Sequence, residues 1–282
     1  MIAGYVQGMK SNAGYFASLR KATTDLYLPC MYFSLLQWLI MYFIMANRNT
    51  ANFGAATLKD LFVLPLGGYK EYWFLVALFF IKAIHSAFDC FPAGKTLHFL
   101  FWTALFITLN IYGGIFPLCV SRLSNGLYFH LGYVMKRENY ISQDKYPGII
   151  WGITLFLVGV ACFFIPYACG GNNFFTRLGA ALCSCFGLFV IFYSAGIKYS
   201  VLISYGLYSM VIYCLHNWVT AVFRMLFTVS GMSSNFEPAI MFAVTFAAAM
   251  IVPLLVVWLY KNIKCLRWIE YIFYPGKLIL RK

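Results

Sequence analysis

Six basic side chains stand inside otherwise apolar stretches: Lys82, His85, Arg122, His130, His216 and Arg224. In hydrocarbon such groups are costly, so they face a bundle interior or a water-filled cavity, pair with one another, or snorkel to the interface. Helical spacing sorts them into faces. Lys82 and His85 are three residues apart and share one face. Tyr213, His216 and Asn217 share another, and Arg224 follows about two turns beyond His216 on roughly the same side. One reading is a polar chamber in which Lys82 and His85 face His216 or Arg122, and which suits an anionic ligand. The other is snorkelling for Lys82 and Arg224, with interhelical hydrogen bonds for the histidines. Acids are scarce in these stretches, with Asp89 near an end, so ion pairing cannot neutralise every cation.

Several chemistries are excluded by what the sequence lacks. There is no pair of intramembrane carboxylates for a glycosidase-type reaction. There is no HExxH and no Cys/His cluster at metal-ligand spacing; a Ser-His-Asp triad stays open, but no GxSxG nucleophile elbow is present. "FPAGK" at 91–95 lacks the glycine spacing of a phosphate loop. The nine cysteines form no CxxC pair and are odd in number, which suits buried thiols used as small hydrophobes. Cys162 and Cys169 could form a disulfide near a helix end.

The elements that must position these residues are membrane helices. Hydrophobic residues make up 62% of the 282-residue chain and charged residues 10%, far below the charged fraction of about 25% usual in soluble domains. The apolar residues fall in blocks of roughly 20, the length of a bilayer-crossing helix. We expect an all-α, polytopic membrane helix bundle forming a single domain over 1–282. Eight spans are predicted, near 26–46, 72–90, 97–114, 118–135, 148–166, 174–195, 202–229 and 238–260. The tail 261–282 alternates basic and bulky apolar residues, as an interfacial amphipathic helix does. Eight spans put both termini on one side. With that side cytoplasmic, the inside segments hold about 14 of the 21 Lys and Arg residues, as the positive-inside rule requires. A long exterior loop near Asn47–Tyr69 follows from this. The net charge of +13 is explained by these loops and the tail, with no basic arm for nucleic acid; the expected surroundings are membrane lipids. The N-terminus is not a signal peptide.

Six fragments in order give the chain a family resemblance. "MIAGYV" looks like the end of a second helix usually close to "FFISGYL". "SLRKATTDLYLPCMYFSLL" is similar to a basic loop followed by an aromatic-proline helix start. "EYWFLVALFFIKAI" is similar to a "WFL-x-x-L" helix, and "NGLYFHLGYVMKRE" to a "Phe-x-x-Gly" helix end with basic residues after it. "ISYGLYSMVIYCLHNW" resembles an "SL-x-IYLLH" helix, and "YPGK" a C-terminal "lfGK". Together they resemble the acyltransferase-3 family of integral-membrane acyltransferases, in particular its fucose-acetylase-like sugar O-acetyltransferases.

That resemblance implies transfer of an acyl group, often acetyl from acetyl-CoA, to a hydroxyl of an envelope or exported carbohydrate, at a bacterial plasma (inner) membrane. It implies no tightly bound cofactor, since acyl-CoA is a donor substrate. It places His216 on the family's late histidine, so His216 and His85 are the candidate catalytic residues. Arg20 and Lys21 are candidates for the donor phosphates, and Trp73, Lys82, Arg122 and Tyr213 for the acceptor cavity. The family has about ten core helices, and its first carries a basic residue and a histidine at a fixed spacing. The residues eleven before His85, His98, His130 and His216 are Phe74, Ala87, Cys119 and Tyr205, none of them basic. The expectation is therefore a chain lacking the family's first helix and most of the second. Such a chain would be inactive alone and completed by an N-terminal fragment. A basic pair of the family, two arginines three apart, is also altered: here Arg20 and Lys21 are followed by Thr23, Thr24 and Asp25. A different class remains open, a non-enzymatic translocator of a carbohydrate or lipid-linked glycan, although no pair of matching halves with broken helices is visible.

Overall fold

The computed structural model describes residues 14–43, 56–69, 72–90, 95–112, 115, 118–138, 148–168, 174–194, 208–229 and 238–275, and every regular element among them is helical. In chain order these are α1 (Tyr15–Ala22), a π-helical turn (Thr23–Tyr27), α2 (Leu28–Phe43), α3 (Leu58–Gly67), α4 (Trp73–Cys90), α5 (Lys95–Ile111) and α6 (Leu118–Ser121). A 3-10 turn (Arg122–Asn125) follows, then α7 (Gly126–Arg137), α8 (Gly148–Ala168), α9 (Phe174–Ser194), α10 (Ser209–Val229), α11 (Pro238–Asn262) and α12 (Ile269–Phe273).

Among the described residues, four helices are long and apolar enough to cross a membrane: Tyr15–Phe43, Trp73–Cys90, Ser209–Val229 and Ile240–Asn262. They coincide with the first, second, seventh and eighth expected spans. Shorter apolar helices at Thr96–Ile111, Gly148–Phe164 and Leu178–Leu188 fall on the third, fifth and sixth. The stretch expected as a fourth span, about 118–135, is broken by the 3-10 turn between α6 and α7. Two differences lie at the ends. The basic stretch around Arg20 and Lys21 is helical, in the last turn of α1, and runs through the π turn into α2 as one rod. Pro29 accounts for the π turn: its ring would collide with the carbonyl of Asp25 four residues back, and widening the helix just before it relieves the contact. The tail folds back in part: Phe273 of α12 is buried and stacks on Phe33 of α2 at 5.2 Å. Residues 276–282, the "MIAGYV" fragment, the "FPAG" turn and Cys169 lie outside the described residues. Cys162 is a free thiol.

The helices fall into two units. The first holds α1–α4, α6, α10, α11 and α12, together with Arg122. Its core gathers Cys30 and Phe33 of α2, Tyr72, Leu75 and Val76 at the start of α4, Val211 and Cys214 of α10, Val257 and Tyr260 of α11, and Phe273. Tyr72 is the polar tie in this core. Its hydroxyl donates to the Cys214 carbonyl at 2.8 Å and accepts from Trp218 Nε1 at 3.0 Å, which pins α4 to α10. The segment expected as an exterior loop contains α3. Thr57 and Asp60 form its capping box, with the Thr57 amide on Asp60 Oδ2 at 2.7 Å. Trp38 Nε1 donates to the Thr57 carbonyl and the Tyr69 amide to Ser34 Oγ, which holds α3 against α2. Gly68 closes α3 at φ +66, and a Cβ there would lie 2.9 Å from the Tyr72 backbone, so the turn into α4 requires glycine.

The second unit holds α5 and α7–α9. Its tightest seam is glycine against backbone: a Cβ on Gly187 of α9 would sit 2.4 Å from the Phe156 amide of α8, and one on Gly159 of α8 would sit 2.5 Å from the Ser184 amide. Small residues let apolar helices approach this closely where no hydrophobic effect drives them together. Gly126, at the start of α7, likewise makes room for the buried Trp102 ring of α5.

Candidate functional site

α10 carries its polar groups along one side. Ser209, Tyr213, His216, Thr220 and Arg224 recur at intervals of three or four residues, the helical period that keeps them on one face. Opposite them stand Phe242, Thr245, Phe246, Ala249 and Met250 of α11, and the two rows enclose a cavity of about 480 Å³. One wall is hydroxyl, imidazole and guanidinium; the other is largely aromatic and aliphatic. Phe242 and Phe246 are 72% and 58% exposed and Arg224 is exposed, so the cavity is a groove open along its side.

His216 is fixed within it. Its Nδ1 lies 2.7 Å from the Tyr213 carbonyl and 3.2 Å from the Ile212 carbonyl. Both partners only accept, so Nδ1 carries the proton of the neutral ring and Nε2 is left with a lone pair. Thr220 Oγ1 donates back to the His216 carbonyl at 2.7 Å, and the Tyr213 ring lies 5.5 Å from the imidazole. Behind the groove, the Tyr72 hydroxyl holds the carbonyl of Cys214 and the indole of Trp218, which fixes the rotation of α10 about its axis. A histidine with one nitrogen tied down and the other available can take a proton from a hydroxyl.

The remaining candidates have separate settings. Tyr213 and His216 line the groove; Trp73, Lys82, His85 and Arg122 do not. The Arg122 guanidinium lies over the Trp73 ring, 4.2 Å from its centroid, a cation–π contact. From Trp73, ring contacts run through Phe74 (5.9 Å) to Tyr213 (5.8 Å) and so to His216. His85 is buried, with Nδ1 3.6 Å from the Asp89 carboxylate one turn on, and Lys82 is half-buried on the same helix. Next to Ser86, α4 is tied to α1 by a 2.8 Å hydrogen bond between the Ser86 and Ser18 hydroxyls. Arg20 and Lys21 are exposed, with Thr24 Oγ1 donating to the Lys21 carbonyl. In the second unit the His130 ring lies tilted against that of His98, centroids 4.4 Å apart and both buried. At the tail, burial pushes the Tyr274 phenol up to about 12, with Tyr208, Cys214, Glu270 and Asp25 adding to the rise, so it stays protonated. Lys261 donates to the Tyr208 hydroxyl beside it.

Three parts of this arrangement have no sequence signal. The α11 wall comes from a helix that is apolar all round, so its sequence does not say which side faces a partner. Tyr72 and Trp218 are 146 residues apart, and nothing near either predicts their bond. His98 and His130 share no periodicity that would pair them.

Neither a curated protein nor a solved structure matches the chain. The family model described as an acyltransferase domain, that of the acyltransferase-3 family, matches residues 1–260. That match spans both units and includes α10 with its fixed histidine and the whole α11 wall. With apolar helices long enough to cross a membrane, it makes the protein an integral-membrane acyltransferase in general terms. The chain belongs to the acyltransferase-3 family.

Proposed function

We propose that the protein is an O-acyltransferase of the fucose-acetylase-like branch. It moves an acyl group, acetyl in the simplest case, from acyl-CoA to a hydroxyl of an envelope or exported carbohydrate. The observation that carries this reading is the fixed tautomer of His216 on the wall of the α10–α11 groove. In the proposed step the acceptor hydroxyl gives its proton to His216 Nε2 as its oxygen attacks the thioester carbonyl. The tetrahedral adduct collapses, the C–S bond breaks, and the imidazolium returns the proton to the departing thiolate. The products are an ester and free CoA, and the histidine ends neutral. Tyr213 supplies a hydroxyl at the groove for the developing oxyanion, and the Thr220 oxygen, whose proton goes to the His216 carbonyl, can accept a hydrogen bond from the acceptor sugar. Arg20 and Lys21, exposed on α1, provide cations for the donor phosphates. His85, whose Nδ1 lies 3.6 Å from the Asp89 carboxylate, is the second candidate base. Trp73, Arg122 and Lys82 shape the acceptor approach, with the Arg122 guanidinium over the Trp73 ring. The proposed location is a bacterial plasma membrane, with both termini cytoplasmic.

The test is transfer of radiolabelled acetyl from acetyl-CoA into envelope carbohydrate, in membranes of the cells that make the protein. Label in wild-type membranes that disappears on deletion of the gene supports the reading. Equal labelling with and without the gene, for acetyl and for longer acyl-CoA donors, refutes it.

A further inference from the structure

The groove has a second end. Arg224 lies eight residues beyond His216 on α10, about 12 Å along the helix axis. Among the described residues its guanidinium makes no ion pair and no acid lines the cavity. Beside it the wall is apolar and laterally open: Phe242 and Phe246 stack on each other at 6.0 Å and are largely exposed, and Val222 and Met225 flank Arg224 with exposed side chains of their own. Arg224 is five residues from the end of α10, about 7.5 Å of rise, which is headgroup depth if that end meets the interface. A snorkelling arginine needs no cavity beside it. Here the cation lines one, together with the exposed aromatic rings of Phe242 and Phe246 on α11.

We propose that this end of the groove is a lateral binding site for a phosphate-bearing membrane lipid. The phosphate is held by Arg224 and an acyl chain lies along Phe242 and Phe246. Arginine suits this task because its planar donors meet phosphate oxygens in pairs. The stacked phenyl rings offer a chain an apolar track that a soluble anion could not use. The site stands whether or not His216 is a base, since it is defined by binding. The roughly 12 Å between Arg224 and His216 leaves room for an acceptor hydroxyl at the other end.

The experiment is native mass spectrometry of the full chain, purified in a neutral detergent and incubated with phosphatidylglycerol or with diacylglycerol, which lacks the phosphate. Wild-type protein is expected to retain phosphatidylglycerol in preference. Arg224→Gln should lower retention by about 10- to 100-fold, the range for loss of a charge-assisted contact. Arg224→Lys should restore part of it, and Phe246→Ala should weaken lipid retention while leaving α10 intact. Circular dichroism melting reports whether each variant folds, and Phe246→Ala carries the test if Arg224→Gln does not. Equal retention by wild type, Arg224→Gln and Phe246→Ala overturns the proposal and leaves Arg224 as a snorkelling side chain. Displacement of the lipid by millimolar inorganic phosphate, with no dependence on Phe246, also overturns it, because the site would then take free anions.

Discussion

Replacing His216 with glutamine separates chemistry from folding. The side chain loses one donated hydrogen bond, shared between the Tyr213 and Ile212 carbonyls at 2.7 and 3.2 Å. Both carbonyls lie inside α10, where they also accept a backbone amide four residues on. The lost bond is therefore worth about 0.5–1.5 kcal/mol, and no buried acceptor is stranded. Glutamine is a good helix former, and His216 is only half-buried, so little packing is lost. A general base, by contrast, contributes about 10²–10⁴ in rate, or about 2.7–5.4 kcal/mol of barrier. The predicted outcome of His216→Gln at the native locus is normal abundance in the membrane with acetyl transfer reduced at least a hundredfold. The assay is label incorporated from acetyl-CoA per unit of immunodetected protein. Transfer within about threefold of wild type at equal abundance would show that Nε2 takes no proton in the reaction. His85 would then be the base to test.

Further outcomes follow from the packing. Gly187→Ala places a methyl 2.4 Å from the Phe156 amide, a backbone contact that cannot swing away, so α8 and α9 must part; a loss of about 1–3 kcal/mol is expected as a lower melting temperature in detergent. Tyr72→Phe leaves the buried Cys214 carbonyl without its side-chain donor and the Trp218 indole without its acceptor. It should cost about 1–3 kcal/mol and lower transfer as well, because the rotation of α10 is loosened; unchanged melting and activity would refute the anchoring role. For orientation, a cysteine at Asn52 is predicted to react with an impermeant maleimide added outside the cell, and labelling confined to the cytoplasmic side would overturn the placement of the termini.

Much of the fold was legible because burial in lipid is read residue by residue. The blocks at 72–90 and 238–260 match α4 and α11 almost end to end. The expected first span began near Leu26, whereas the helix begins at Tyr15. The polar run from Ser18 to Asp25 lowers the hydropathy without breaking the helix, and its serine and threonine hydroxyls bond Ser86 and the preceding turn. The block at 118–135 read as one span, but Asn125-Gly126 weakens it, and the close approach of Trp102 at Gly126 fits a helix that starts afresh there.

By itself the sequence determined the helical membrane class, the family, and the alignment of Tyr213, His216 and Arg224 along one side of α10. Each of these depends on local composition or on a period of about 3.6 residues within one helix. Only the tertiary structure decided which of the candidate groups share a cavity. It put Tyr213 and His216 in a groove with α11, placed Arg122 over Trp73 and brought the Asp89 carboxylate within 3.6 Å of His85. The reason is that side chains on apolar helices are nearly interchangeable to a bilayer. Which faces meet is set by close contact at a few positions such as Tyr72, Gly126 and Gly187, and by hydrogen bonds between residues as far apart as Tyr72 and Trp218.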